Sequence, residues 1–277
     1  GLTPQLTPEA RQVAEQHCKK HGKSSIFTGI TRDSGVGPEE FDFQCVETKK
    51  SKSNIVKSPS PSSGSGYLIS KDGLMLTNEH VVRNCSSITV GRDKANTSTA
   101  NIIEVDGVND LALIKIVNFR SNLSDEMPSL EAGLIRETSI ELGESVLVSG
   151  FPYGDIFGDT LKVTSGLVSS SVGIGNNISQ FQFDAAVQSG NSGGPVYDEY
   201  GNIVGIVVAQ LDKLKVASVT GSLPENVNYA VNTNTIGRFL EFSGYKSSYS
   251  KKTKELSTKD LSKIALNQTY MIKCLSK

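Results

Sequence analysis

Ser192 stands between Asn191 and a pair of glycines in QSGNSGGPVYDEYGNIVGIVV, residues 188–208. A serine hydroxyl is a weak nucleophile until a base takes its proton, and imidazole is the usual base near neutral pH. The chain holds three histidines. His17 and His21 lie one helical turn apart beside Cys18, a spacing two metal ligands could share, but no third ligand accompanies them and the pair reads as the basic end of a helix. His80 is placed differently, following an apolar run in LMLTNEHVVRNC. In GVNDLALIKI, Asp110 heads another apolar run, where a carboxylate is costly to bury unless a donor such as an imidazole N–H bonds to it. His80, Asp110 and Ser192 therefore occur in that order, each at the edge of an apolar strand, as a nucleophile, its base and the base's orienting group would. The glycines beside Ser192 cost backbone entropy and fill no space. Their presence so close to packing strands argues that the backbone N–H groups there are the working part.

Several elements must carry these side chains. Residues 7–21 read as a helix, with Thr7 as N-cap, Pro8 at the first helical position and Gly22 ending it. SSIFTGITRD and EEFDFQCVE read as a small hairpin, and TKKSKSNIVKSPSPSSGSG as a linker. From Gly66 onward short strands alternate with turn residues, beginning with the hairpin YLIS-KDG-LMLT, as an all-β barrel or sandwich would show. NTNTIGRFLEF reads as a late helix, and LSKIALNQTYMIKC as a final helix-strand. These readings divide the chain into an N-terminal helix-hairpin extension (1–48), a linker (49–63), a strand-rich domain (64–242) and a C-terminal tail (243–277).

TNEHVV, NDLALIKI and DAAVQSGNSGGPVYDEYGNIVGI resemble the trypsin-like serine proteases, specifically the HtrA/Deg branch. GSGYLISKDGLMLTNEHVV, GFPYGDIFGDTLKVTSGLVSS and NVNYAVNTNTIGRFL extend the resemblance over residues 55–242. It implies an all-β fold of two six-stranded antiparallel barrels, with the site in the cleft between them. His80 and Asp110 would come from the first barrel and Ser192 from the second, and the chemistry would be attack on a peptide carbonyl through an acyl-enzyme. The backbone N–H groups of Gly190 and Ser192 would bind the oxyanion. Asn191 stands where digestive members of the family carry an Asp that pairs with a freshly cut N-terminus, so activity is expected not to depend on N-terminal cleavage. Ala186, Val187, Ile206, Val207 and Val208 are expected to wall a small apolar specificity pocket, favouring cleavage after residues such as Val, Ala or Leu. Residues 243–277 are fewer than the peptide-binding PDZ domain of that branch needs, so regulation through such a domain is not expected from these residues. The branch often forms trimers, and the sequence leaves this chain's own homo-oligomerisation open.

Composition narrows the other classes. A formal charge of −1 gives no basis for a nucleic-acid partner, and no apolar run in the 277 residues approaches the length of a membrane-spanning helix. No metal or cofactor is expected. Cys18, Cys45, Cys85 and Cys274 show no metal spacing and fit two disulfides, of three possible connectivities. The pairs Cys18–Cys45 and Cys85–Cys274 are favoured, with four buried thiols as the alternative. Disulfides would place the protein in an oxidising compartment, secreted or periplasmic, with a signal segment presumed removed. Unfolded or extended polypeptides are the expected substrates. The alternative is a catalytically silent barrel that binds peptide or protein as a scaffold, and such barrels usually lack a member of the triad.

Overall fold

The computed structural model describes residues 8–21, 23–31, 40–47, 62–93, 96–119, 134–152, 158–208, 226–245, 249–250 and 252–276. The expected helix ends Thr7 and Gly22, and linker residues 49–61, lie outside these. The chain divides into two compact units, Gly1–Ser58 and Pro59–Lys277.

In the first unit, helix α1 (Pro8–Lys20) is followed by an antiparallel hairpin of β1 (Lys23–Thr31) and β2 (Glu40–Glu47). Phe27 sits opposite Phe43 and meets both Phe43 and Phe41 edge-on or tilted, with ring centroids 5.6 and 6.5 Å apart. Among the described residues of this unit, Cys18 is the only fully buried apolar side chain. A disulfide from Cys18 in α1 to Cys45 in β2 closes a separation of 27 residues. In the chain-entropy model that closure contributes roughly 3–4 kcal/mol.

The second unit contains two closed barrels. The first has the strand order β16-β3-β4-β7-β6-β5, built from β3 (Ser62–Leu68), β4 (Leu74–Thr77), β5 (Cys85–Gly91), β6 (Thr97–Asp106), β7 (Leu111–Ile116) and β16 (Thr269–Ser276). Leu68, Met75, Ile114 and Ile272 are among the residues that fill it. The strand of the C-terminal helix-strand is thus a wall of this barrel, paired with β3 on one side and β5 on the other, and joined to β5 by the Cys85–Cys274 disulfide. The second barrel runs β9 (Ser145–Gly150), β10 (Lys162–Ser170), β11 (Gln180–Phe183), β14 (Asn228–Asn232), β13 (Ile203–Val207) and β12 (Pro195–Tyr197), closing where β12 pairs again with β9. Val148, Phe181, Phe183 and Val196 lie in its interior. Two short strands, β8 (Ile135–Arg136) and β15 (Tyr249–Ser250), extend the sheet in parallel beyond β13.

Side chains alternate across a strand, so each barrel strand has a second face to bury. In β4, Met75 points into the first barrel while Leu74 and Leu76 join a separate cluster with Leu147, Tyr197, Ile206 and Val231 of the second. Ile236 and Leu240 of helix α3 (Thr233–Phe242), with Leu261 and Ala265 of α4 (Thr258–Gln268), complete this seam. Both helices start on sequence-encoded caps: Asn232 accepts from the Thr235 N–H at 3.0 Å and Ser257 from the Asp260 N–H at 3.2 Å. Each large side chain in the seam contributes about 1.5–3 kcal/mol by leaving water, so the seam fixes the two barrels against each other.

Candidate active site

Between β4 and β5 lies a single helical turn, α2 (Glu79–Val82), which carries His80. Val81 and Val82 are buried in the first barrel's core, which anchors the turn and leaves the imidazole about one third exposed. Asp110 reaches it from the β6–β7 turn. There Asp106 accepts the N–H groups of Val108 and Asn109 at 3.0 and 3.1 Å and the Asn109 side-chain amide at 2.6 Å, reversing the chain. Asp110 itself has φ +57, a left-handed conformation that Asp tolerates better than most residues.

That backbone kink aims the carboxylate at His80. Oδ1 accepts the His80 backbone N–H at 2.9 Å, and Oδ2 lies 2.7 Å from Nδ1. The Asp110 carbonyl accepts from Nδ2 of the fully buried Asn78 at 2.8 Å. Because the ionised carboxylate only accepts, Nδ1 carries the hydrogen and Nε2 of the neutral ring is left with its lone pair. The ring can therefore take a proton at Nε2.

Ser192 follows a tight turn over Gln188–Asn191. The Asn191 N–H donates to the Gln188 carbonyl at 3.0 Å, and Gly190 has φ +101, the value a type II turn demands at its third position. The buried Asn191 side chain secures the turn by accepting the Gln188 N–H at 3.2 Å. The Asn191 carbonyl accepts from the Gly194 N–H at 2.9 Å. In a trans peptide the N–H points opposite to the carbonyl, so the Ser192 N–H is turned to the other side. Gly193, at φ +83, leaves no room for a side chain, since a Cβ would sit 2.2 Å from the Ser65 carbonyl oxygen and 2.3 Å from the Thr77 hydroxyl.

The two barrels meet at this point. The Ser192 carbonyl accepts the Ser65 N–H at 2.8 Å, and the Ser65 carbonyl accepts from Thr77, three residues before His80, at 2.7 Å. A Cβ at Gly64 would lie 2.6 Å from Val81 and 3.2 Å from the Ser192 carbonyl oxygen, so α2 and the Ser192 turn close on the same residue. Sequence reasoning misses Ser65, Asn78 and the turn-securing bond of the Asn191 side chain. The Gly-Ser-Gly at 64–66 is a signal for the first, since small residues flanking a strand polar group mark a close backbone approach.

The five residues expected to wall a specificity pocket do not share one surface. Val187 and Val207 are buried in the second barrel's interior, whereas Ile206 and Val208 pack toward the seam. Ala186 is exposed, and its carbonyl accepts from the Thr164 hydroxyl at 2.8 Å. Consecutive residues of β13 face opposite sides, as a strand requires. Asp184 is occupied with the Leu167 N–H at 2.6 Å.

Residues 64–206 match the family of trypsin-like peptidase domains. Over 79% of its length the chain is 36% identical to y4bJ, a protein of Sinorhizobium fredii, covering 33% of that protein. It is 33% identical over 74% of its length to the serine protease HTRA1 of Xenopus tropicalis, covering 41% of it. Among solved structures, the serine endoprotease from Yersinia pestis superimposes with a TM-score of 0.50 at 26% identity, over 67% of this chain and 63% of that one. The chain thus spans between 33% and 41% of the length of these two curated relatives.

Proposed function

The chain belongs to the trypsin-like peptidase family, in its HtrA branch, and we propose that it is a serine endopeptidase whose triad is His80, Asp110 and Ser192. The observation that carries this reading is the double engagement of His80 by Asp110, through backbone N–H and ring together. In the proposed cycle His80 takes the Ser192 proton at Nε2 as the hydroxyl oxygen attacks the substrate carbonyl. The imidazolium then protonates the leaving amine, and water hydrolyses the acyl-enzyme by the reverse roles. Asp110 fixes the ring's tautomer and stabilises its charged form. The N–H groups of Gly190 and Ser192 are the proposed oxyanion donors, each worth roughly 3–4 kcal/mol in the transition state.

The proposed substrates are unfolded or extended polypeptides, cut after small apolar residues. That preference is carried over from the family resemblance, with one oxygen of Asp184 engaged by the Leu167 N–H. Independence from N-terminal cleavage is supported by Asn191, a neutral residue already bonded to its own turn. Two disulfides support a secreted or periplasmic site of action. Among the described residues no helix is long and apolar enough to cross a membrane.

Digestion of a denatured protein such as reduced casein, with products identified by mass spectrometry, tests the reading. Internal cleavages after Val, Ala or Leu that disappear in Ser192→Ala support it. No cleavage by the wild-type protein, alongside tight binding of the same polypeptide, would identify a silent scaffold instead.

A further inference from the structure

Ser65 is fully buried in β3 of the first barrel, yet both its N–H and its hydroxyl are used at the junction with the second. Its N–H donates to the Ser192 carbonyl at 2.8 Å, and its hydroxyl donates to the Gly190 carbonyl at 2.6 Å. The same hydroxyl accepts the Phe151 N–H at 2.9 Å, at the end of β9. Its carbonyl accepts from Thr77, on the strand that leads to His80. One side chain thus grips the carbonyl of the turn residue Gly190, while the same residue's backbone holds Ser192 and the approach to His80. The carbonyls of Gly190 and Ser192 are drawn to Ser65, and that of the intervening Asn191 is drawn to Gly194. The segment carrying the two proposed oxyanion donors is therefore held through three consecutive carbonyls, two of them by Ser65.

We propose that Ser65 is a positioning residue: its hydroxyl latches the Gly190 turn so that the backbone donors are presented to the oxyanion. This rests on the endopeptidase reading above. Without the hydroxyl, the buried Gly190 carbonyl and Phe151 N–H both lose their partner, and the turn moves to find others. Donor placement, which matters only in the transition state, suffers; binding of the ground state along the cleft does not.

The test compares wild type with Ser65→Ala and Ser65→Cys, the latter keeping a weak donor in place of the hydroxyl. Ser65→Ala is expected to lower kcat by about 10–100-fold with KM within threefold of wild type, short of losing a whole oxyanion donor. A peptide boronate, whose tetrahedral adduct needs the oxyanion donors, is expected to lose affinity by the same factor, while the non-reactive peptide amide of the same sequence keeps its affinity. Ser65→Cys should show the same selective loss in smaller measure, and it carries the test if the alanine variant does not fold. A boronate affinity unchanged within twofold, or equal losses for boronate and amide, would overturn the latch. Hydrogen exchange, read by NMR at the Asn191 amide, which shares a peptide with the latched Gly190 carbonyl and donates to Gln188, should accelerate in Ser65→Ala whether or not the protein is an enzyme. An inactive wild type with accelerated Asn191 exchange in the variant would sink the endopeptidase reading and leave the latch standing; unchanged exchange would sink the latch.

Discussion

Oδ2 of Asp110 lies 2.7 Å from Nδ1 of His80, and Oδ1 of the same carboxylate accepts the His80 backbone N–H at 2.9 Å. One carboxylate therefore fixes both the position of the residue and the orientation of its ring. Asp110→Asn keeps the shape but places an amide where a pure acceptor stood, and an amide can donate to Nδ1 and favour the wrong tautomer. The variant is expected to lose about 10⁴-fold in kcat, the cost seen when a triad carboxylate becomes an amide. Steady-state kinetics with an active-site-titrated preparation checks this, with product-peptide affinity expected to stay within threefold.

Gly193→Ala is expected to abolish measurable hydrolysis and to lower Tm. Its Cβ would overlap the Ser65 carbonyl oxygen and the Thr77 hydroxyl, and relief requires moving either the Ser192 turn or the strand leading to His80. Gly143→Ala is the matched control. It has φ +86 and nothing within 4 Å of its Cβ, so it should cost only the left-handed strain, roughly 1–2 kcal/mol, and leave kcat/KM unchanged. Thermal melts and kcat/KM for the two variants separate overlap from strain.

Arg136 ties β8 to the second barrel. Its guanidinium donates to both oxygens of Glu144 at 2.6 and 3.0 Å, to the Ser139 carbonyl at 2.7 Å, and reaches the fully buried Asp198 at 3.4 Å. Burial pushes the Glu144 carboxyl up, but the bonds from Arg136 and from the Glu141 N–H outweigh it and hold the group below its ordinary range. A carboxyl so depressed adds stability above its unfolded pKa of about 4.3, and that stability is lost as pH falls through the folded value. Arg136→Ala should destabilise by roughly 1–2 kcal/mol at neutral pH, because it strips a partner from the part-exposed Glu144 and from the buried Asp198, which keeps its bonds to Tyr200 and Asn202. Urea titrations from pH 7 downward should show the gap between variant and wild type narrowing below about pH 4.

Most of the framework is legible in the sequence. Strands such as LALIKI and SVLVSG announce themselves by apolar runs between turn residues, and Asp110 could be picked out because a carboxylate heading such a run needs a partner. What escaped depends on distant pairing. Ser62–Leu68 begins inside a stretch rich in Ser and Pro that reads as linker, and it becomes a strand because Ser62 pairs with Cys274, far along the chain. For the same reason Thr269–Ser276 reads as tail yet closes the first barrel. The expected pocket wall took consecutive residues of β13 together, although the pleat sends Ile206 to the seam and Val207 into the barrel. Ser65 escaped because its role lies in its partners, none of which is a sequence neighbour.

Closure of the first barrel by its last strand makes the two disulfides unequal. Cys85–Cys274 spans 189 residues and joins adjacent strands, a closure worth about 5 kcal/mol in the chain-entropy model. Replacing both cysteines with serine should loosen β16 and, through the β5 end that follows α2, lower both Tm and kcat/KM. The same change at Cys18 and Cys45 should loosen the first unit, since that bridge joins α1 to its own hairpin. Peptide hydrolysis and hydrogen exchange on the two double variants check this.

The most direct measurement of the triad uses a fluorophosphonate probe, which phosphonylates only a serine whose hydroxyl is activated by a base. Tryptic mapping of the labelled wild-type protein is predicted to place the adduct on Ser192, at one equivalent per chain, with labelling lost in Ser192→Ala and in His80→Ala although both variants melt within a few degrees of wild type. An adduct on another residue, or labelling of Ser192 at undiminished rate in His80→Ala, would contradict the account.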